Sequence, residues 1–457
     1  MRNQIYGRLL LCLLVLCLIL SGCITPAPVE TTSTTVPTQT TQDVQETTAP
    51  TELPETEPTT VPTEAVVETT APTEPYVEYT ASVGVTGDML MHKPLISSAA
   101  AGSGYDFSEM FRYISEYYAG YDYMIANLET TLGGRNAGAY QGYPHFNCPD
   151  EIVDGLMGAG VDMLLTANNH TFDTGYDGMM RTVRVLREKG MDLLGTRASE
   201  AESFYVVKNL NGIKIGMVCY TYETDCPYED QKALNCIILG RTASKMVNSF
   251  HYGKLDAFYA DLEQTMEKMK ADGADFTMVF LHWGDEYSLS PNANQQAMAQ
   301  TLCEMGVDVI VGGHPHVIQP FEMLTSENGH NTYCIYSVGN ALSNQRTETL
   351  SVRNEQYTED GMIYGIQFEK WNDGRTRISD MHIIPTWVNR KHVNGKNVYH
   401  IIPLDPALPT WSEFGVSAPS DLTDSFERTM NLVADGLNEA RAHLGLEEQP
   451  IFIDTST

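Results

Sequence analysis

The stretch from His282 to His316 constrains the fold of this chain most strongly. One apolar run ends in His282, and a second apolar run leads into Gly-Gly-His-Pro-His at 312–316. The residues between the two runs have a helical period that Gly306 ends. Strand, loop, helix, strand and loop in this order predict a sheet covered by helices. Because such sheets place their chemistry beyond the carboxyl ends of their strands, we expect these histidines to bind metal.

Polar groups follow predicted strands in the rest of the chain as well. A single Asp after a strand is often a helix cap and a single His is often structural, but recurrence at five strand ends favours a shared site. Carboxylate, amide and imidazole ligands together suit Mn, Fe or Zn better than Ca. We therefore expect two divalent metal ions with a bridging carboxylate. The candidate groups are Asp88, Glu129, Asn169 with His170, His282, and His314 with His316.

Two segments, 157–170 and 304–316, follow the same plan. Each has a helix end, Gly-Val-Asp, an apolar strand and then polar ligands. We interpret them as two related halves of one sheet, although any βα unit can end in this way. Alternating apolar runs between 317 and 402 predict antiparallel strands that close the second half.

The N-terminus has the pattern of a secretory signal. Two arginines precede an apolar run at 9–20, and Leu-Ser-Gly-Cys ends at Cys23. This ending resembles the bacterial lipobox, in which the cysteine is lipidated. We expect an extracytoplasmic lipoprotein held at the cell membrane through Cys23. The alternatives are an ordinary signal peptide or a transmembrane anchor, for which the run is short.

The next segment, 24–80, is rich in Thr, Pro and Glu and contains no Lys or Arg. Such a composition cannot bury enough apolar surface to fold, so we predict a disordered, extended stalk. The whole chain carries a net charge of −31. This acidic charge argues against a nucleic-acid partner, which requires a basic surface.

The composition and periodicity divide the chain into four parts. A C-terminal segment has apolar residues at helical spacing, from Leu422 to Leu444, with Ser420 as a candidate cap. We expect this helix to pack back on the domain. The predicted parts are a signal peptide at 1–23, a stalk at 24–80, a folded domain at 81–402, and a linker with an amphipathic helix at 403–457.

The cysteines outside the N-terminal segment match no zinc-binding spacing. Cys219, Cys303 and Cys334 lie in apolar periodic runs and are expected to be buried. Cys226 and Cys236 either form a disulfide, which an extracytoplasmic location permits, or remain free.

Six motifs together resemble the CapA family of poly-γ-glutamate capsule synthesis proteins, which resemble calcineurin-like metallophosphoesterases in fold. The likeness covers roughly 82–385, most of the predicted folded part. It implies an α/β fold, a metallophosphoesterase-like four-layer α/β/β/α sandwich with mixed sheets. The motifs are VTGDMLMH (85–92), ANLETTL (126–132), LTANNHTFDTG (165–175), HWGDEY (282–287), VGGHPHVIQP (311–320) and YSVGNALSNQ (336–345).

The resemblance also implies a role for each metal-ligating residue. Asp88 and His316 would bind the first metal ion, and Glu129 would bridge the two ions. The second ion would be bound by Asn169, His282 and His314.

The same resemblance makes His170, with Asp173 close by, the general acid on the leaving group. Two departures from the phosphoesterase pattern bear on the first metal site. Leu90 stands where those enzymes have His, with His92 two residues later, and Glu129 stands where they have Asp. The first site is therefore complete, weakened or lost, and the alternatives to two bound ions are one ion or an empty site.

Five further side chains near the motifs have open roles. Lys93 and Arg135 either hold a carboxylate or phosphate or are scattered surface cations. Asn340 is predicted to brace the His-Pro-His loop. His145 lies on a glycine-rich loop that can approach the site, and Glu286 is either a substrate or supporting contact or a solvated charge.

Three functions are consistent with these features. The first is a metal-dependent hydrolase that acts on a phosphoester or a γ-glutamyl amide during poly-γ-glutamate synthesis, export or anchoring. The second is a non-catalytic assembly factor that handles this acidic polymer beside a membrane synthase. The third, a solute-binding lipoprotein, shares the anchor and stalk but does not need Asn169, His314 and His316 together.

Overall fold

The computed structural model describes residues 74–405, 414, 416 and 419–449. The predicted signal peptide with Cys23, the stalk up to 73 and most of the predicted linker lie outside these residues. The described residues belong to one compact unit. In the part of the chain that the structure describes, no helix combines the length and the apolar character needed to cross a membrane.

The secondary structure consists of many strands and few long helices. In chain order the strands are β1 (Val77–Met89), β2 (Ala100–Ala101), β3 (Gly104–Tyr105), β4 (Tyr123–Asn127), β5 (Met163–Leu165), β6 (Asp192–Leu194), β7 (Tyr205–Leu210), β8 (Ile213–Tyr222), β9 (Ala233–Leu234), β10 (Ile237–Ile238), β11 (Ser249–Phe250), β12 (Phe276–His282), β13 (Val309–Gly313), β14 (Ile318–Thr325), β15 (Asn331–Val338), β16 (Asn340–Leu342), β17 (Asp360–Trp371), β18 (Thr376–Val393) and β19 (Lys396–Pro403). The helices are α1 (Lys93–Ser98), α2 (Ser115–Tyr118), α3 (Glu151–Gly158), α4 (Gly175–Lys189), α5 (Arg241–Ser244), α6 (Leu255–Ala271), α7 (Ala293–Glu304) and α8 (Pro419–His443).

The strands form two large mixed sheets. The first has the order β19-β18-β17-β1-β4-β5-β6, with β16 beside β1. Its β1, β4, β5 and β6 are parallel, and β17, β18 and β19 run antiparallel to their neighbours. The second has the order β11-β8-β12-β13-β15-β14, with β7 beside β8. Its β8, β12, β13 and β15 are parallel, so each sheet has a parallel centre and an antiparallel edge.

The two sheets pack face to face, and helices cover their outer faces. In β4, Ile125 belongs to the core between the sheets, whereas Met124 belongs to the core under the helices. This alternation follows from the two-residue period of a strand. Ile152 of α3 lies in the outer core of the first sheet, and Leu262 of α6 in that of the second. The predicted four-layer α/β/β/α sandwich with mixed sheets is confirmed.

The two segments with the same plan lie in different sheets, so the prediction of one sheet with two halves is wrong. β5, from the first segment, lies in the first sheet, and β13, from the second, lies in the second sheet. The late antiparallel strands are divided as well, since β14 pairs with β15 while β17 pairs with β1. When two sheets stack, each buries one complete apolar face against the other. In one extended sheet, helices alone would have to cover both faces.

Two local patterns can be compared with the structure. Asn211-Gly212 between two apolar runs is a hairpin signal, and β7 and β8 form that hairpin, in which Asn211 and Gly212 have φ values of +51° and +94°. The apolar spacing at 106–118 favours an α-helix, but the structure has a 3-10 turn at Ser108–Phe111 followed by the short α2. The apolar positions of this segment are buried all the same, because i+3 bonding turns much the same residues inward.

The segment from 223 to 253 contains β9, β10, α5 and β11. Cys226 and Cys236 within it have free thiols. Cys219, Cys303 and Cys334 are buried in the sheets and their helices, as predicted.

The C-terminal helix packs on the domain as predicted. α8 begins at Pro419, so Ser420 lies in its first turn and does not cap it. Its apolar side chains join the core that β14 and β18 also line. The buried ones are Leu422, Phe426, Met430, Val433, Leu437 and Ala440.

A buried ion pair fixes α8 to the first sheet. Arg428 donates two hydrogen bonds of 2.7 Å to the carboxylate of Asp360 in β17, which also accepts from Ser425 at 2.6 Å. Asp360 is 1% exposed. Burial raises the pKa of Asp360, although Arg428 opposes this shift. The carboxylate therefore depends on its partners in α8.

We expect Arg428→Met to lower the free energy of unfolding by about 2–3 kcal/mol, because it leaves the buried Asp360 carboxylate without its cation. The side chain of Arg428 is 24% exposed, which keeps the loss below that of a fully buried pair. Urea denaturation of the purified protein measures the change.

The matched control is Arg184→Met, which removes an exposed pair with Glu188 at 3.7 Å. It should change stability by less than about 0.5 kcal/mol. Equal losses in the two variants would contradict a structural role for the Asp360–Arg428 pair.

Candidate metal centre

The predicted site residues come together where the carboxyl ends of the two parallel sheet centres meet. β1, β4 and β5 of the first sheet and β12 and β13 of the second end at this place, because their loops face each other across the sandwich. All the predicted ligands are at most 4% exposed. They are Asp88, Glu129, Asn169, His282, His314 and His316.

Glu129 lies at the middle of this cluster. Its Oε1 atom is 3.7 Å from His282 Nε2, 3.8 Å from His316 Nε2 and 4.0 Å from His170 Nε2. Neither carboxylate oxygen has a hydrogen-bond partner among the described residues. Burial raises the pKa of Glu129 well above its usual range, and the charges of Asp88 and Glu286 raise it further.

Asp88 is the second-last residue of β1, and its side chain connects the two sheets. Its Oδ1 accepts from Asn127 Nδ2 at 2.7 Å, and its Oδ2 accepts from the backbone N–H of His314 at 3.2 Å. His316 Nδ1 lies 3.4 Å from Oδ2. Burial acts to raise the pKa of Asp88, but His316, His282 and Asn127 outweigh it and the pKa is lowered. The carboxylate is therefore held in its charged form.

Asn169 and His282 meet across the two sheets. Asn169 Oδ1 lies 3.0 Å from His282 Nε2, so two atoms suited to one metal ion point at each other. Burial lowers the pKa of His282 to about 3, and it lowers that of His314 well below its usual range. Both rings are therefore neutral and can ligate a cation.

His170 is held by the predicted partner. Its Nδ1 lies 2.7 Å from Asp173 Oδ2, and its Nε2 faces Glu129. The backbone N–H of Phe146 donates to the same Asp173 oxygen at 2.6 Å, and the Phe146 ring meets the imidazole edge-on at 4.7 Å. This arrangement fixes the ring with Nε2 turned toward the cluster.

The His-Pro-His loop has an unusual backbone. His314 and His316 have φ values of +98° and +59°, which non-glycine residues rarely adopt. Asn340 Nδ2 donates to the carbonyl of His316 at 3.2 Å, so the predicted bracing by Asn340 is confirmed. Gly312 allows a close approach, since a Cβ there would lie 2.0 Å from the carbonyl oxygen of Tyr336.

The donor set fits divalent metal ions. Ligand atoms of Asp88, Glu129 and His316 lie within 4.8 Å of one another, and so do those of Glu129, His282 and His314. These two groups share Glu129, the residue to which the family resemblance gives the bridging role. In the described part of the chain, the Nδ1 atoms of His314 and His316 and both Glu129 oxygens are buried and make no hydrogen bond, although His316 Nδ1 lies 3.4 Å from Asp88 Oδ2. A buried carboxylate and imidazoles without partners are costly unless a cation satisfies them.

Sequence reasoning did not assign the side chains that support these ligands. Asn168 Nδ2 donates to Asn127 Oδ1 at 3.0 Å, which orients the Asn127 amide toward Asp88. Asn235, from the turn between β9 and β10, accepts from Asn169 Nδ2 at 3.1 Å and lies 3.4 Å from His170 Nδ1. Asn127 and Asn168 lie within two of the six motifs, so the sequence places them near the predicted ligands. No sequence pattern points to Asn235.

The other candidates near the motifs have structural contacts. Lys93 Nζ donates to the carbonyl of Tyr140 at 2.8 Å, and the guanidinium of Arg135 lies over the Tyr140 ring at 4.8 Å. His145 reaches to 4.0 Å from Asp173 with a side chain that is 52% exposed. Leu90 is 2% exposed within the core and offers no ligand.

His92 does not take the place of the missing ligand. Its Nδ1 lies 3.1 Å from the carbonyl of Leu90 and 3.3 Å from the backbone N–H of Asn344. Burial lowers the pKa of His92 to about 4. Its ring packs edge-on against Phe146, so its described contacts are structural.

The family described as "Bacterial capsule synthesis protein PGA_cap" matches residues 82–345. This range is more than half of the 457 residues and includes every predicted metal ligand. The chain belongs to this family. All six motifs lie within the matched range.

Two curated relatives are similar to this PGA_cap chain. "Capsule biosynthesis protein CapA" of Bacillus anthracis is 27% identical over 269 residues, which cover 57% of this chain and 59% of that protein. "PGA biosynthesis protein CapA" of Bacillus subtilis (strain 168) is 26% identical over 273 residues, which cover 59% of this chain and 65% of that protein. The chain thus matches less than two thirds of the length of each relative.

Among solved structures, the NAD nucleotidase NadN of Haemophilus influenzae is similar with a TM-score of 0.37. The alignment has 11% identity and covers 80% of this chain and 67% of NadN. A similarity of this size says nothing about what the PGA_cap chain binds or converts.

We expect Gly312→Ala to destabilise the protein by about 3 kcal/mol, because the new methyl group overlaps a carbonyl in the packed sheet. The overlap involves the Tyr336 carbonyl oxygen and the Trp283 indole nitrogen, at 2.0 and 2.4 Å. The control Gly158→Ala has no atom within 4 Å of its new Cβ and lies at the end of α3. It should raise stability by about 0.5 kcal/mol. Thermal unfolding of both variants checks the difference, and a neutral Gly312→Ala would refute the close packing behind the His-Pro-His loop.

Proposed function

We propose that this protein is a membrane-anchored extracytoplasmic factor in the synthesis, export or anchoring of poly-γ-glutamate or a similar acidic surface polymer. It acts through a metal-dependent hydrolase-type site that cleaves a phosphoester or a γ-glutamyl amide. The main support is the buried Glu129 carboxylate, which has three imidazoles within 4.0 Å and no hydrogen-bond partner among the described residues. Membership of the PGA_cap family and the names of the Bacillus relatives support the choice of polymer.

The chain has ligands for two divalent ions, of which Mn, Fe and Zn suit the donor types best. Bound ions would lower the pKa of water and polarise the oxygen of the scissile group. The first ion would be held by Asp88, Glu129 and His316, and the second by Glu129, Asn169, His282 and His314.

His170 supplies the proton for the leaving group in this proposal. Asp173 accepts from Nδ1 and stabilises the protonated ring, so Nε2 carries the transferable proton. Asn235 contacts both His170 and Asn169, which fixes the position of the general acid relative to a proposed metal ligand.

The proposed location rests on the N-terminal sequence. Lipidation at Cys23 would anchor the chain, and the acidic stalk would hold the domain away from the membrane surface. The chain has a net charge of −31 and therefore repels a polyanion over long distances. A glutamate polymer would thus be held locally, by the metal ions. A membrane synthase is the partner that such a position favours.

A second candidate function is a non-catalytic assembly or polymer-handling factor beside the synthase. The observation that favours it is Leu90, which is buried where phosphoesterases have a histidine. In this case the first metal site would be weak, and the metal cluster would serve structure or polymer binding.

We expect the purified protein to contain about two equivalents of divalent metal, as binuclear hydrolases do. His282→Ala and His316→Ala each remove one ligand and should lower this content, measured by elemental analysis. The control His392→Ala changes an exposed histidine of β18 and should retain the wild-type content. Metal-free wild-type protein after incubation with manganese and zinc would overturn the metal-dependent function.

We expect His170→Ala to retain its metal and lose hydrolytic rate by about 10²–10⁴-fold, because the general acid is removed. Phosphoesters and γ-glutamyl amides are the substrates to screen with the wild type first. In cells, the amount of surface polymer should fall in the variant. Normal polymer with His170→Ala, but loss of polymer on deletion of the gene, would favour the assembly factor.

A further inference from the structure

Three groups of described side chains could hold a metal ion, and Glu286 is the one exposed residue among them. It lies beside the His-Pro-His loop. A carboxylate oxygen of Glu286 and nitrogen atoms of His314 and His316 lie within 4.8 Å of one another. Both imidazoles are at least 96% buried, and their Nδ1 atoms have no hydrogen-bond partner among the described residues. The cluster thus brings one nitrogen atom of each imidazole close to the Glu286 carboxylate, and His314 Nδ1 has neither a hydrogen bond nor an ion pair within the described residues.

The backbone holds Glu286 in this place. The N–H of Trp283 donates to the carbonyl of Gly313 at 3.0 Å, and the N–H of Tyr287 donates to the carbonyl of Pro315 at 2.8 Å. These two bonds tie the loop after β12 to the His-Pro-His loop on either side of Glu286. Asn354 Nδ2 donates to the carbonyl of Tyr287 at 2.8 Å and fixes the far end of the loop.

The Glu286 carboxylate makes no hydrogen bond or ion pair with any residue of the described ranges, 74–405 and 419–449 with 414 and 416. Its neighbour Asp285 is different, because it accepts from Asn292 Nδ2 at 2.9 Å and so supports the start of α7. The carboxylates of Asp88, Glu129 and Glu286 therefore each lie close to at least one of the two imidazoles of the His-Pro-His loop. A bound cation would compensate the negative charge of such a cluster.

The two proposed metal sites differ in the number of protein ligands. Glu129, Asn169, His282 and His314 serve the second ion, whereas Asp88, Glu129 and His316 alone serve the first. The position that would complete the first set by resemblance is occupied by the buried Leu90.

We infer that Glu286 is a direct metal ligand that completes the first site in place of the histidine missing at Leu90. This inference rests on the proposed metal-dependent function and adds a ligand to it. A carboxylate at the exposed side of the site supplies the oxygen ligand that hard divalent ions such as Mn²⁺ prefer. It also makes the first ion the more accessible of the two, and therefore the one that exchanges with solvent.

The test is the binding of Mn²⁺ to the full-length purified protein after removal of metal by a chelator. Free Mn²⁺ is measured by electron paramagnetic resonance, and circular dichroism checks the fold. The wild type should bind two ions. Glu286→Gln keeps the size of the side chain and removes its charge, so it should bind one ion normally and the other at least about tenfold more weakly.

The matched control is Asp285→Asn, which removes the same charge from the adjacent residue and should leave both affinities unchanged. Equal binding by the wild type and Glu286→Gln would overturn the role of Glu286 while the metal-dependent function stands. Equal weakening in Asp285→Asn would reduce the effect to general electrostatics and would also overturn it. A wild type that binds no Mn²⁺ would overturn both the ligand and the proposed function.

Discussion

The buried carboxylate of Glu129 is the constraint on which the rest of the centre depends. A charged group without water or hydrogen bonds costs several kcal/mol, on the order of the whole stability of a domain. The chain surrounds it with the imidazoles of His170, His282 and His316, whose Nε2 atoms lie 3.7 to 4.0 Å from Glu129 Oε1, too far for hydrogen bonds. A bound cation would compensate the Glu129 charge; without one, burial raises the pKa of this carboxyl group well above its usual range.

Two sheets are needed to build this surrounding. Each sheet delivers its ligands at the carboxyl ends of parallel strands, and the face-to-face packing brings those ends together. Asp88 joins the sheets through the His314 backbone, and Asn169 joins them through His282. The bond from Asn340 to the His316 carbonyl then supports a loop whose histidines adopt left-handed backbone angles. The strain of that loop is offset by the packing beneath it.

The family relationship and the geometry bear on different parts of the function. The PGA_cap match assigns the chain to a family, and the shared segments of the CapA proteins direct attention to an acidic surface polymer. The cluster of carboxylate and imidazole groups is the basis of the proposed hydrolysis. In that proposal, bound metal ions would supply the positive charge that an acidic chain needs to hold a polyanion. Buried Leu90 and exposed Glu286 are the residues that bear on whether the proposed first metal site is complete.

The sequence by itself determined the features that depend on neighbours along the chain. The Asn211-Gly212 hairpin, the buried face of α8 and the ligand types after each strand follow from turn chemistry and periodicity. Only the tertiary structure decided that the two similar segments lie in separate sheets, and that Asn235 reaches the metal ligands from a distant turn. The reason is that pairing between remote strands and contacts between loops depend on the packing of whole faces, which no local pattern encodes.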